Sequence, residues 1–414
     1  MVQKETKPTK PKEVSKDSKN PIRKSIERQN PRTPVLKSPA TKARRTVDKK
    51  GKSPNTPDKK SKEKKTKSKG KVEAPTAGMK DSVELTNKKW FCAKIYERVP
   101  SSFLGEYTDC EKPPVVATTH YLHLNKARYK DIICGESTRV ILKGRPPNND
   151  FYHANWATMP DGTTYIGAQG PMDSSLEDFW HMVVTELCPA ILMLCDFVED
   201  GKVKCVQYIP LENEQSAQYG MYKVTRKDKT VEFCKDVVLK VFEVSVPEKP
   251  EIPTHTVQHF QYQNWRDYSA PVSTSSAITL YKTFKQLKLI GPPIVHCSAG
   301  VGRTCTFIGL DLGHQRVGYC STYPPIELVH ELRKVRDKAI QSTTQYMFMV
   351  MCLLDIFIEE GVARSKWLDE FVIAYKCEMI AAAERRKSLE EKKKVDGTLT
   401  TTTTTTDSTT NTQE

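Results

Sequence analysis

His296-Cys297-Ser298-Ala299-Gly300-Val301-Gly302-Arg303-Thr304 is the stretch from which the rest of the chain is read. The apolar run Pro292-Pro293-Ile294-Val295 ahead of it predicts a short buried strand, and Cys305-Thr306-Phe307-Ile308-Gly309-Leu310 behind it predicts the start of a helix. Small residues at that junction let several backbone N–H groups converge on one point at a helix N-terminus, where the dipole favours an anion. Arg303 adds a planar fork suited to bidentate phosphate binding. The same positive field favours a thiolate at Cys297. A lone cysteine at a strand end is ordinarily packing. Here two glycines and an arginine close the loop, and it reads as a nucleophile beneath an oxyanion cradle.

The loop resembles the signature loop of the cysteine-dependent protein tyrosine phosphatases, the tyrosine-specific, non-receptor class, and the resemblance covers about residues 85–360. It implies an α/β fold: a twisted, mixed β-sheet flanked by helices, with the phosphate-binding loop between a central strand and a helix. It also implies that Cys297 attacks phosphorus and that the amides of Ser298, Ala299, Gly300, Val301 and Gly302 hold the phosphoryl oxygens together with Arg303. Thr304 would help the thiolate leave, and His296 would support the loop from the strand side. Leu124-Asn125-Lys126-Ala127-Arg128-Tyr129-Lys130-Asp131-Ile132 resembles the family's recognition loop, with Tyr129 stacking on a phosphotyrosine ring and Asp131 accepting from the substrate backbone. Gln341 and Gln345, in a stretch similar to the glutamine loop, would position water. Glu199 stands where the family has a buried carboxylate holding the signature arginine. No metal or other cofactor is implied.

Trp265-Arg266-Asp267 stands where the family carries a mobile Trp-Pro-Asp loop, so Asp267 takes the general-acid role and Trp265 the hinge. The middle proline is Arg266, which relaxes the φ restriction and is expected to put a cation beside the acid that favours ionised Asp267, an unwelcome tendency for a proton donor. A slowed enzyme is the expectation. Other departures are Ala127 and His153 in place of asparagines, Ile209 in place of tryptophan and Cys305 in place of glycine. Three further readings compete: a phosphotyrosine-binding pseudophosphatase, a dual-specificity or lipid phosphatase, and a scaffold on an anionic surface. The retained Cys297, Asp267, Arg303 and Gln341 argue against the first, and the deep-pocket tyrosine Tyr129 against the second.

Charge is unevenly spread along the 414 residues. Residues 1–80 hold 26 of the 65 basic and 8 of the 50 acidic side chains, so the other residues, with 39 and 42, are close to neutral although the formal net charge is +15. Residues 1–80 also lack any aromatic side chain and cannot offset ordering entropy by burial, so 1–81 is expected to be a disordered basic tail. Its run Lys59-Lys60-Ser61-Lys62-Glu63-Lys64-Lys65 suits an acidic partner, a nuclear address or an anionic membrane surface, and Thr33-Pro34, Ser38-Pro39, Ser53-Pro54 and Thr56-Pro57 suit proline-directed phosphorylation. The 12 cysteines show no paired short spacing, and no secretory segment opens the chain, so reduced thiols in the cytoplasm, with the nucleus as the alternative, are expected. The longest apolar run, Tyr346–Leu354, is too short for a membrane span.

The expected organisation is a phosphatase domain over 82–362, a C-terminal helix over 363–395 and a threonine-rich disordered tail over 396–414. Trp90, Phe91, Ile95 and Tyr96 outline a first helix face, and Trp367, Phe371, Tyr375 and Met379 outline the face by which the last helix packs. Thr138–Lys143, Tyr165–Ala168, Ala190–Leu194 and Val203–Ile209 read as strands. Ser174-Ser175-Leu176-Glu177 reads as a capping box opening a helix to Glu186.

Overall fold

The computed structural model describes residues 81–403 except 214, 228 and 288–290. The basic segment 1–80, with its lysine run and Ser/Thr-Pro pairs, and the threonine-rich end from 404 lie outside those residues. Helices α1 (Val83–Tyr96), α2 (Pro100–Asp109) and α3 (Thr118–Leu122) come first. Strands β1 (Arg139–Ile141), β2 (Phe151–Thr158) and β3 (Thr164–Ala168) lead to α4 (Leu176–Thr185) and β4 (Ala190–Met193). The small pair β5 (Val198–Glu199) and β6 (Lys202–Val203) precedes β7 (Ser216–Tyr219), β8 (Tyr222–Arg226), β9 (Val231–Cys234), β10 (Val237–Ser245) and β11 (His255–Tyr262). Then follow α5 (Ser275–Gln286), β12 (Ile294–His296), α6 (Arg303–Tyr319), α7 (Ile326–Val335), α8 (Thr343–Glu359) and α9 (Ser365–Thr403).

Ten strands form one mixed sheet in the order β1-β2-β3-β12-β4-β11-β10-β8-β7, with β9 paired to β10. The four middle strands β3, β12, β4 and β11 run parallel, and the outer pairs are antiparallel. Parallel strands need both faces covered, which is why β4 and β12 are buried throughout and apolar except for His296. Val295 in β12 sits opposite Gly167 on one side and Leu192 on the other. The chain therefore leaves β12 at the carboxyl end of the sheet's middle and turns directly into α6, which packs on β3 and β12 and against α1, α5 and α8. The run Tyr346–Leu354 lies inside α8 and is fully buried. Among the described residues no helix is long and apolar enough to cross a membrane.

Two expectations fail locally. Val203–Ile209 is not a strand: after β6 the backbone is irregular, with the Lys204 and Cys205 N–H groups donating to Phe197 O and that of Val206 to Pro171 O. Cys205, Tyr208 and Ile209 are apolar because they are buried beneath this loop. The capping box does not form either. Ser175 instead closes a preceding 3-10 turn, accepting from Met172 N at 3.1 Å, while Glu177 pairs with Arg145.

The last helix packs through the face read from the sequence. Phe371 meets Phe103 edge-on at 5.4 Å, Trp367 stacks on Tyr96 at 5.0 Å, and buried Tyr375 donates to Pro271 O at 2.8 Å. The α9 backbone stays helical to Thr403, past the boundary expected at 395, because a propagating helix gains one hydrogen bond per residue fixed. Tyr375→Phe removes only the hydroxyl and is expected to lower stability by about 1 kcal/mol. Tyr375→Ala opens a cavity and should cost about 3–5 kcal/mol. Thermal unfolding that is unchanged in both variants would show that the helix rests on the domain without stabilising it.

Candidate active site

The loop from Cys297 to Gly302 depends on two glycines for different reasons. Gly300 has φ +73°, and a Cβ there would lie 2.1 Å from Ala168 O. A Cβ on Gly302 would lie 2.5 Å from Gln341 Oε1 and 2.9 Å from both terminal atoms of Gln345. The loop is tied on several sides. Gly170 N–H donates to Ser298 O at 3.0 Å, Ile340 N–H to Val301 O at 3.0 Å, and Arg336 to Ala299 O and Gly300 O at 3.1 and 2.9 Å. Cys297 is 2% exposed, and its Sγ accepts from Gly300 N–H at 3.2 Å.

Arg303 opens α6 with no exposed surface. Its Nη1 donates to Glu199 Oε1 at 2.5 Å and to Trp265 O at 2.7 Å, and its Nη2 lies 3.3 Å from Asp267 Oδ1. Burial works against the guanidinium charge, but Cys297, Cys195, Asp267 and Glu199 outweigh it and hold the Arg303 pKa above its ordinary value. Arg303 Nε and Nη2, Thr304 Oγ1 and Gln345 Nε2 are buried around the loop without a hydrogen-bond partner in the protein. Several donors thus surround the Cys297 thiol, the chemistry required to receive a tetrahedral oxyanion.

Asp267 is brought to this cluster by the turn after β11. Trp265, 2% exposed, anchors that turn between the rings of Tyr262 and Phe348 and donates through Nε1 to Ser269 O at 2.9 Å. The cation at Asp267 is not its sequence neighbour. Lys204 Nζ meets Asp267 Oδ2 at 2.7 Å, whereas Arg266 turns outward to Asp200 Oδ1 at 2.8 Å, with 60% and 79% of those two side chains exposed. The backbone carbonyl of Asp267 also accepts from Arg386 of α9 at 3.0 Å.

Tyr129 walls the site, its hydroxyl 2.9 Å from Ser298 Oγ and its ring against Ile132, Ala299 and Val301. Gln345 Oε1 accepts from Gln341 N–H at 2.8 Å, so the two glutamines face Gly302 as one unit. Asp131 faces solvent. Its carboxylate is 76% exposed, and Lys338 Nζ donates to it at 2.8 Å, which holds its pKa below the usual range. His296 faces away from the pocket. Its Nδ1 lies 3.2 Å from Cys297 O, and its Nε2 lies 2.7 Å from Tyr208 Oη, which is 2.7 Å from His259 Nε2 as well. With His296 Nδ1–H donating to Cys297 O, Tyr208 donates to His296 and accepts from His259. Burial lowers the His296 pKa to about 4, so the ring is neutral.

Of the residues singled out by sequence, Glu199, Trp265 and Asp267 meet Arg303, Tyr129 meets Ser298, and Gln341 and Gln345 face Gly302, whereas His296 faces away and Asp131 pairs with Lys338. The sequence reading missed Lys204, Tyr208 and Arg336 as contributors. The first two lie in Val203–Ile209, which the sequence presented only as a strand, and Arg336 had no local signal at all.

The family model described as protein-tyrosine phosphatase matches residues 123–355, and the chain belongs to that family. Rat tyrosine-protein phosphatase non-receptor type 9 is 33% identical over 295 residues, which is 66% of this chain and 49% of that protein. Rat tyrosine-protein phosphatase non-receptor type 20 is 31% identical over 235 residues, covering 56% of this chain and 54% of its own length. The chain thus spans about half the length of the curated relatives it matches. A solved structure of PTPN18 in complex with HER2 phosphopeptides superposes with a TM-score of 0.58 and 25% identity, covering 66% of this chain and 99% of that one.

Breaking the innermost ion pair gives a direct test of how the site is held. Glu199→Ala leaves buried Arg303 without its nearest carboxylate and is expected to cost about 3–5 kcal/mol of stability. Glu199→Gln, which keeps an acceptor for Arg303 and for Asp196 N–H, should lose clearly less in urea unfolding. Equal losses would place the stabilisation in packing instead.

Proposed function

We propose that this chain hydrolyses phosphotyrosine in proteins through a phosphocysteine intermediate at Cys297. The observation that carries the reading is the meeting of Cys297, buried Arg303 and Asp267 at one loop whose surrounding donors have no protein partner. The Cys297 thiolate attacks phosphorus, and the bond from phosphorus to the phenolic oxygen breaks. Protonated Asp267 gives its proton to the departing phenolate. Arg303 and the loop amides from Ser298 to Arg303 hold the three equatorial oxygens as charge moves through the transition state. Water set by Gln341 and Gln345 then attacks, returning its proton to Asp267 as the phosphorus–sulfur bond breaks. Thr304 Oγ1, buried and without a partner, donates to the departing thiolate.

Tyr129 gives the slot the depth of an aryl phosphate and favours phosphotyrosine over phosphoserine or phosphothreonine. Asp131 serves as a backbone acceptor only after exchanging Lys338 for the substrate's N–H groups. All twelve cysteines are unpaired thiols, which fits work in a reducing compartment such as the cytoplasm. The test is turnover of a phosphotyrosine peptide against its phosphothreonine counterpart by the full chain. Cys297→Ser should abolish turnover while still binding the phosphopeptide, since serine replaces the better nucleophile and leaving group. Residual wild-type activity in that variant would overturn the mechanism, and a chain that binds but never turns over would be a pseudophosphatase.

The Trp-Arg-Asp variant slows the acid step by conformation, because Arg266 spends its charge on Asp200 and lacks the φ restriction of proline. Arg266→Pro should therefore raise kcat several-fold on a poor leaving group and change it little on an activated aryl phosphate, where a general acid matters less. Asp267→Ala should remove that difference. An unchanged or lower kcat on both substrates in Arg266→Pro would instead make the exposed pair with Asp200 a useful tether of the loop.

A further inference from the structure

A second buried arginine stands behind the phosphate-binding loop. Arg336, 1% exposed, donates through Nε to Gly300 O, through Nη2 to Ala299 O and through Nη1 to Asn155 Oδ1, the last at 2.6 Å. Its Nη2 also lies 2.9 Å from His153 Nδ1, and His153 Nε2 lies 2.9 Å from Ile132 O. A guanidinium offers no acceptor and a carbonyl no donor, so these two contacts allow one state of the ring. Nδ1 holds a lone pair towards Arg336, and Nε2 carries the hydrogen towards Ile132. Burial, reinforced by the Arg336 charge, holds the His153 pKa well below the ordinary histidine value. The edges of His120 and Phe151 close the ring in at 5.4 and 6.2 Å.

Ile132 is where the recognition loop meets the phosphate loop. Its side chain packs with Ala299 and Val301, with Tyr129 against them. His153 therefore joins two walls of one slot from behind. One wall is the phosphate loop, held through Arg336, and the other is the loop that carries Tyr129. An asparagine, the residue usual at this place in the family, also has one acceptor and one donor group, and the ring preserves that pairing.

We propose that His153 is a positioning residue for phosphotyrosine: its Nε2-protonated ring couples Arg336 to the Ile132 carbonyl and so sets the slot between Tyr129 and the phosphate loop. The proposal rests on the phosphatase reading of this site, and its test separates the two. With the full chain and a phosphotyrosine peptide, His153→Ala is expected to raise KM roughly tenfold through loss of a hydrogen bond to a charged group. Chemistry at Cys297 is untouched, so kcat should stay within about twofold. In a Cys297→Ser background, the same change should raise the Kd of the peptide by a matching factor. His153→Asn should bring both values most of the way back. Long-range proton–nitrogen NMR spectra of the wild-type chain should show His153 protonated at Nε2 only.

An inactive wild-type chain would overturn the phosphatase reading, while the peptide Kd would still decide the role of His153. Unchanged KM and Kd in His153→Ala, or a loss of activity that follows the folded fraction alone, would overturn the positioning role. Should His153→Ala fail to fold, the spectrum and His153→Asn decide. A ring protonated at Nδ1, or an asparagine variant with the wild-type fold and a tenfold weaker Kd, would overturn the proposed coupling.

Discussion

A guanidinium with no exposed surface must be compensated where it lies, and the arrangement of this domain around Arg303 follows from that requirement. The compensation comes from distant parts of the chain. Glu199 belongs to the small β5–β6 pair, while the Trp265 carbonyl and Asp267 belong to the turn after β11. Each is useful only if β4, β11 and β12 are neighbours, so that the segments leaving their carboxyl ends converge. The parallel middle of the sheet provides this. The charge proposed to receive phosphate therefore also holds the turn after β11.

The same economy is visible in the backbone. Gly300 lies so close to Ala168 O that no side chain fits, and Gly302 lies against the side-chain ends of Gln341 and Gln345. Close approach lets the loop present its N–H groups inward, while its carbonyls are met from behind by Arg336, Gly170 and Ile340. A loop with amides facing one way has carbonyls facing the other, and those must be satisfied too. Arg336 does for the outer side of the loop what the proposed phosphate would do for the inner side.

Arg266 shows how far sequence adjacency can mislead about electrostatics. Consecutive side chains in an irregular turn diverge, so the residue beside Asp267 in sequence pairs with Asp200, and the residue beside Asp267 in space is Lys204. The α9 helix adds a further tie, with Arg386 on the Asp267 carbonyl and Tyr375 on that of Pro271. The turn after β11 is thus gripped at its base by Trp265, at the Asp267 carboxylate by Lys204 and along its backbone by the last helix.

What the sequence by itself determined was local chemistry and periodicity. Cys297, Arg303 and the two glycines fall within one turn, where short-range geometry decides the outcome, and β12 and α6 were legible from the apolar runs on either side. The packing face of α9 was legible because helical spacing puts Trp367, Phe371 and Tyr375 on one side. What only the tertiary structure decided were pairings across long stretches of chain: Lys204 with Asp267, Arg336 with the loop carbonyls, His153 between Arg336 and Ile132, and Lys338 on Asp131. It also decided that residues 204–209, rich in strand-forming residues, stay irregular, because Phe197 and Pro171 take backbone hydrogen bonds there. A side chain's type sets what partner it requires, but strand order and loop path set which partner lies within reach.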